Sequence, residues 1–459
     1  MKRRFVIITA FIMLLALTIS SCSSNNTVFK SEGGSFCVGF GECDIELPTD
    51  SDDPLYIAGY KNGYEIQGVI DIPKAKAVWI DTGDKGVLLI GIDCVAVGSG
   101  TVEDIRQKLS DFCKKSDCVS INVYATHTHA GIDTLGLWGN VAIDGKNADY
   151  MQNLVSAAVS AAKEAYNDRS SGKLYYGNAE TDDLLLDSRE PIEYDPNIYQ
   201  IRFAPDNAKK NGVRLLSYAA HAESLRGDNK LLSADFPGAL AKKIKSSCGD
   251  DVMYMPSAIG GLIMTRELVE PFDALKNMDQ TADLLANTVL SINNEIELEA
   301  NLSIASKKID VPLDNTYFFF GKFLGILNNE IKRGKSETGY VLQSELGALR
   351  LGSVTVALIP GEMFPELVSG KGLTKEDPEA LESIAKRYET ENLIVLGLCN
   401  DELGYIVPKS AFKLNDELPY IEPVDDGSDE NHYEETNSVG PQTAEIIAKE
   451  FEDLLKSMN

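Results

Sequence analysis

The chain has 459 residues and carries 70 Asp and Glu against 43 Lys and Arg, a formal net charge of −27. A surface this acidic repels phosphate backbones and anionic headgroups, which excludes nucleic acid as a partner and electrostatic docking as a route to a membrane. Hydrophobic residues make up 44%, enough for a large core, and none of the eight cysteines falls in a C-x-x-C pattern of the kind that builds cysteine-rich metal sites.

The N-terminus reads as a targeting segment. Lys2, Arg3 and Arg4 precede an apolar run from Phe5 to Ile19, broken only by Thr9 and Thr18. That run is shorter than the roughly 20 residues of a membrane-spanning helix and fits an export signal. Ile19-Ser20-Ser21-Cys22 follows and resembles the lipobox of bacterial lipoproteins, in which the Cys is acylated and becomes the new N-terminus. The expected organisation is a signal peptide over 1–21, a lipidated Cys22 and polar tether over 22–35, and one large domain over 36–459. The chain is then exported and lipid-anchored on the outer face of a bacterial membrane. Without Cys22 an odd number of cysteines remains. Cys37 with Cys43, and Cys113 with Cys118, are the pairs that spacing suggests.

Strand and helix patterns alternate through the remainder. Residues 75–82 and 86–97 read as buried strands, and 101–114 as a helix with Val102, Ile105, Leu109 and Phe112 on one face. Residues 119–125 form a strand that ends at His127, and a long amphipathic helix runs over 148–166. Strands follow at 173–177, 198–203 and 213–219, the last ending at His221. A helix over 236–247 leads to a strand at 251–255, ending at Ser257. Later strands are expected at 302–312, 346–350, 353–359 and 393–398. The apolar stretch 316–327 reads as a core helix, with a helix lining a lipid groove as the alternative. The acidic stretch 414–435 reads as a solvated surface loop. The pattern is mixed α/β (α+β), with mixed sheets flanked by helices.

Three of the four histidines, His127, His129 and His221, fall at predicted strand ends, where α/β folds handle ligands. Neutral imidazole is the commonest nitrogen donor to zinc, and H-x-H spacing puts two rings on one side of an extended segment. Pro360-Gly361-Glu362 presents a carboxylate after a β-rich run, and Tyr405 follows the strand at 393–398.

Taken together, six motifs resemble the neutral/alkaline, non-lysosomal ceramidase family, in the family's order. They are G-F-G-E-C-D-I at 39–45, T-H-T-H-A-G at 126–131, A-A-H at 219–221 and P-G-E at 360–362. G-L-C-N at 397–400 is followed by G-Y-I at 404–406, and H-Y-E-E-T-N-S-V-G-P-Q-T stands at 432–443. The resemblance implies one zinc per chain, held by His127, His221, Glu362 and Tyr405, and hydrolysis of an N-acyl amide bond. It places His129 beside the metal as a proton shuttle and Tyr433 in the late Tyr-Glu pair. Arg189, in Ser188-Arg189-Glu190, would stabilise an oxyanion. Ser257 would be either an acylated nucleophile or a group that positions substrate beside metal-activated water. Ala258 and Gly261 stand where the family carries Asn and Asp, and Asp133 replaces a small residue. The family's C-terminal β-sandwich is expected to be absent. The implied substrate is a ceramide-like lipid or another N-acylated amine. Two alternatives stay open: a zinc hydrolase of a different amide or ester, and a non-catalytic binding lipoprotein.

Overall fold

The computed structural model describes residues 26–49, 53–140, 144–181, 183–323, 327–424 and 432–459. The segment expected to be an export signal, 1–21, and Cys22 lie outside the described residues, as does the stretch 425–431 of the acidic insert.

Alternation along the strands builds two sheets. In Phe36–Asp44, Phe36, Val38 and Phe40 enter one core while the intervening residues face a helix. Lys74–Asp81 and Gly86–Ile92 are buried on both faces, as strands covered on two sides must be. The larger sheet runs Asp251–Pro256, Val213–Tyr218, Asn197–Pro205, Ser170–Glu180, Phe36–Asp44, Lys74–Asp81, Gly86–Ile92, Cys118–Ala125, with Ile296–Glu297 paired to Ser170–Glu180. The outermost pair at each edge is parallel. Each such pair needs a crossover, supplied by helices Ser99–Ser116 and Asp235–Cys248. The smaller sheet runs Asn26–Glu32, Asn301–Pro312, Tyr340–Leu351, Val354–Leu358, Asn392–Leu396, with Glu330–Arg333 paired to Tyr340–Leu351.

The sheets pack face to face through side chains such as Val38, Ile80, Ile304, Leu349 and Val356. Helices Ser99–Ser116 and Ala148–Asp168 cover part of the larger sheet's outer face, and Asp235–Cys248 and Ala274–Ser291 pack beside the remainder. Thr443–Met458 covers the smaller sheet. The result is the mixed α/β class expected from the sequence, layered helix, sheet, sheet, helix.

Gly39 and Gly41 explain the first motif. A Cβ at these positions would lie 2.1 Å from the Ala165 carbonyl oxygen and 2.3 Å from that of Ala161, both on helix Ala148–Asp168. The glycines therefore let the helix backbone rest on the strand. Gly39→Ala is expected to destabilise the fold by about 1–3 kcal/mol, because overpacking must move the helix. Equal unfolding midpoints for the variant and the parent in urea would contradict this packing.

The larger sheet curls until its edges face each other. Tyr124 on one edge donates its hydroxyl to the Tyr254 carbonyl on the other at 2.7 Å. The segment after Asn392–Leu396 enters this gap: the Gly397 N–H donates to the Pro256 carbonyl at 2.9 Å, and that of Asn400 to the Val123 carbonyl at 2.7 Å. Strand ends from both edges and from the second sheet thus converge on one point.

Two expectations are corrected. Residues 26–32 of the supposed tether form an edge strand, in register from Asn26 opposite Lys307 to Glu32 opposite Asn301, and Phe29 packs against the core between the sheets. Helix Thr316–Phe323 is not a core helix. Phe318 and Phe319 are partly buried against the smaller sheet's core, but Phe320 and Phe323 are 60% and 64% exposed. Eight residues make two turns, too little length to bury aromatic rings that point all round the axis. Among the described residues no helix is long and apolar enough to cross a membrane.

Candidate metal centre

His127 follows strand Cys118–Ala125 but does not stay extended. Its φ is +62°, a left-handed conformation rarely adopted by non-glycine residues and often found at functional sites. The kink replaces the extended H-x-H expected from the spacing, and it still brings His127 Nε2 to 3.2 Å from His129 Nε2. His221 arrives from the strand next to the other edge, three residues beyond Val213–Tyr218. Glu362 and Tyr405 come as register partners in a two-residue parallel ladder, Glu362–Met363 with Tyr405–Ile406. Gly361 permits that ladder, since a Cβ there would lie 2.6 Å from the Gly404 carbonyl oxygen.

The four residues expected to bind metal therefore meet, with His129 beside them. His127 Nδ1 bonds the Val95 carbonyl at 2.7 Å and His221 Nδ1 bonds the Ile263 carbonyl at 2.8 Å. Carbonyl oxygens only accept, so each Nδ1 carries hydrogen and each Nε2 is the ring atom that faces the centre. Glu362 Oε2 lies 3.0 Å from His221 Nε2 and 3.5 Å from His127 Nε2, and Tyr405 interacts with the same carboxylate. Ligand atoms of His127, His129 and His221 all lie within 4.8 Å of one another. Lone pairs and a carboxylate pointed at one buried spot require positive charge between them.

The electrostatics agree. Burial pushes His127 and His129 down to about 3, so both are neutral. Burial also opposes charge on His221, but Glu362 lifts it to about 9. The residues fit a cation of intermediate hardness: imidazole nitrogen, carboxylate and phenol oxygen, with carbonyls fixing both ring orientations.

No protein-family model and no curated protein matches the chain by sequence. In three dimensions it matches the crystal structure of neutral ceramidase from Pseudomonas aeruginosa with a TM-score of 0.70, at 14% identity over 92% of this chain and 74% of that one. A ceramidase complexed with C2 matches with a TM-score of 0.69, at 15% identity over 92% of this chain and 75% of the other. The chain has the neutral ceramidase fold.

Within the neutral ceramidase fold, the remaining expected residues divide. Tyr433 sets its ring edge-on to that of Tyr405, centroids 6.0 Å apart, and is 37% exposed, so it forms the outer side of the centre. Ser257 closes strand Asp251–Pro256 at the same end of the sheet. Its turn packs on the Glu362 segment through a 3.0 Å bond from the Gly260 N–H to the Met363 carbonyl. No hydrogen bond joins the Ser257 hydroxyl to an imidazole among the described residues. Gly261 has φ +84°, which a side chain would strain. Asp133 caps its own loop by accepting N–H bonds from Leu135, Gly136 and Trp138.

Arg189 is a correction. Its guanidinium lies 2.8 Å from Glu434 and 2.9 Å from Glu435, donates to the Ala411 carbonyl at 3.0 Å, and is buried. Committed to two carboxylates, it has no free face for an oxyanion. The solvated reading of 414–435 holds for Asp416, Glu417 and Glu422, which are exposed, but not for Glu434 and Glu435 at its end, which are fully buried.

Three residues escaped the sequence reading. Glu223 lies 3.6 Å from His129 Nδ1 and accepts a hydrogen bond from Tyr60, whose ring is edge-on to His129 at 5.0 Å. Gly59 allows that approach, since a Cβ would be 2.6 Å from the His129 ring. Glu402 lies near Glu362, and burial followed by that like charge pushes its carboxyl well above the usual range. The visible signals were H-A-E at 221–223 and the Glu in N-D-E-L-G-Y at 400–405.

Proposed function

We propose that the chain belongs to the neutral ceramidase family and is a zinc-dependent hydrolase of N-acyl amide bonds, releasing a fatty acid from a sphingoid base or another amine. The observation that carries this reading is the meeting of His127, His221, Glu362 and Tyr405 in the neutral ceramidase fold. A bound zinc supplies Lewis acidity to the scissile carbonyl and lowers the pKa of a water ligand. The chain's own groups do the remaining work. His127, His221, Glu362 and Tyr405 would hold the ion, with the two backbone carbonyls fixing the orientation of the imidazoles. His129, neutral and backed by Glu223, passes a proton to the leaving amine. Ser257 orients the acyl group from the neighbouring strand end.

Two substitutions and a substrate series test this reading. With Ser257 as a positioning group, Ser257→Ala lowers turnover by about ten- to a hundredfold without abolishing it. Complete loss with the fold and metal intact would make Ser257 the nucleophile. Fatty-acid release from N-acyl amines of increasing chain length should rise steeply and stop with chelator, because each buried methylene contributes about 0.8 kcal/mol. Equal rates on acetyl and long-chain amides would move the assignment to a general amidase, and no release from any substrate would favour a binding protein. We also propose that export and acylation at Cys22 bring the enzyme to lipid. Cys22→Ala should free it from the membrane fraction, and a variant that still pellets with membranes contradicts the anchor.

A further inference from the structure

Seven cysteines lie among the described residues, all as free thiols. Cys37 and Cys43, one of the pairs suggested by spacing, lie six residues apart on the single extended strand Phe36–Asp44. That separates them by about 20 Å and rules out a bond between them.

The other pair is placed differently. Cys113 lies in the last turn of helix Ser99–Ser116, and Cys118 opens strand Cys118–Ala125. Between them Asp117 adopts a left-handed conformation, φ +54°, and its N–H closes on the Cys113 carbonyl. This cap folds the chain back over the helix end and sets the two thiols side by side against one core cluster. Both are half-buried and pack against the same core, within reach of a reagent. Contact with Cys118 holds the Cys113 thiol below the usual range, while the same contact and burial push Cys118 up. Cys94 and Cys399, in contrast, are fully buried, and burial pushes both thiols up.

We infer that Cys113 and Cys118 are a dithiol that closes to a disulfide when the chain meets a disulfide-bearing exchange partner. The Cys113 thiolate attacks one sulfur of the partner's disulfide, forming a mixed disulfide and expelling a partner thiolate. Cys118 gives its proton to solvent and attacks the Cys113 sulfur, expelling the second partner thiolate. The chain loses two protons and two electrons, and the partner gains them as two thiols. The bond fastens the end of the helix to the start of the strand whose far end leads to His127.

The test uses the full chain purified under reducing conditions and incubated with oxidised glutathione. It is then alkylated in denaturant and digested with trypsin, which cuts at Lys114 and Lys115. The expected result is one cross-linked species joining the peptides on either side of Lys114-Lys115, two hydrogens lighter than the reduced pair, with the other cysteines alkylated. The oxidised chain should unfold about 3 °C higher than the reduced one, as a short closed loop predicts for a protein of this size. Cys113→Ser should leave Cys118 open to alkylation. Full alkylation of both residues after oxidation, a stable glutathione adduct on Cys113 alone, or a cross-link to any other cysteine would each overturn the inference. The readout involves no turnover, so its outcome is independent of the proposed hydrolase activity.

Discussion

Replacing Glu362 by alanine is expected to lower amide hydrolysis by about a thousandfold or more while leaving the fold intact. Glu362 supplies the oxygen that faces both His221 Nε2, at 3.0 Å, and His127 Nε2, at 3.5 Å. It also interacts with Tyr405. Without it two imidazoles and one phenol oxygen remain, too weak a set to hold zinc tightly. The backbone ladder with Tyr405 does not depend on the side chain, so unfolding should change little. Glu362→Gln keeps the shape but removes the charge, and it should lose activity nearly as completely. The check is initial rates at saturating zinc. If Glu362→Ala keeps a tenth of parental turnover there, the carboxylate is not part of the centre.

Arg189→Met is expected to act on stability instead, by about 3–5 kcal/mol, the usual consequence of removing one partner from a buried ion pair. Glu434 and Glu435 would lose their counter-ion, and two more acids lie close. Burial pushes Asp187 up to about 6 and Glu366 up to about 7. A carboxyl raised in the folded state contributes stability at low pH and loses it as pH rises through the folded value. The deficit of the variant should therefore be largest near pH 8 and shrink towards pH 5, as these groups take up protons. Urea unfolding at the two pH values measures it. Unchanged stability at both, with turnover lost, would return Arg189 to the chemistry.

What was legible in the sequence is what local pattern encodes. The His residues, Glu362 and Tyr405 stand at ends of strands whose apolar runs are plain in the chain, and the sheets deliver them as that placement implied. Phe36–Asp44 was visible only as a motif, because its glycines break the β pattern and serve a helix more than a hundred positions away. The edge strand Asn26–Glu32 was masked by polar residues, since an edge needs few apolar contacts. Arg189 was misjudged for a different reason: its partner Glu435 is 246 residues distant, and no spacing rule reaches that far. Glu223 and Tyr60 met at His129 only through the curl of the larger sheet and the bare backbone of Gly59.

Metal analysis of the purified full chain tests the central claim most directly. Elemental analysis after exhaustive dialysis should find about one zinc per chain, retained in the His432→Ala variant and lost from His127→Ala, His221→Ala and Glu362→Ala. A chain that carries no zinc, and takes up none when zinc is supplied, would contradict the assignment of this centre.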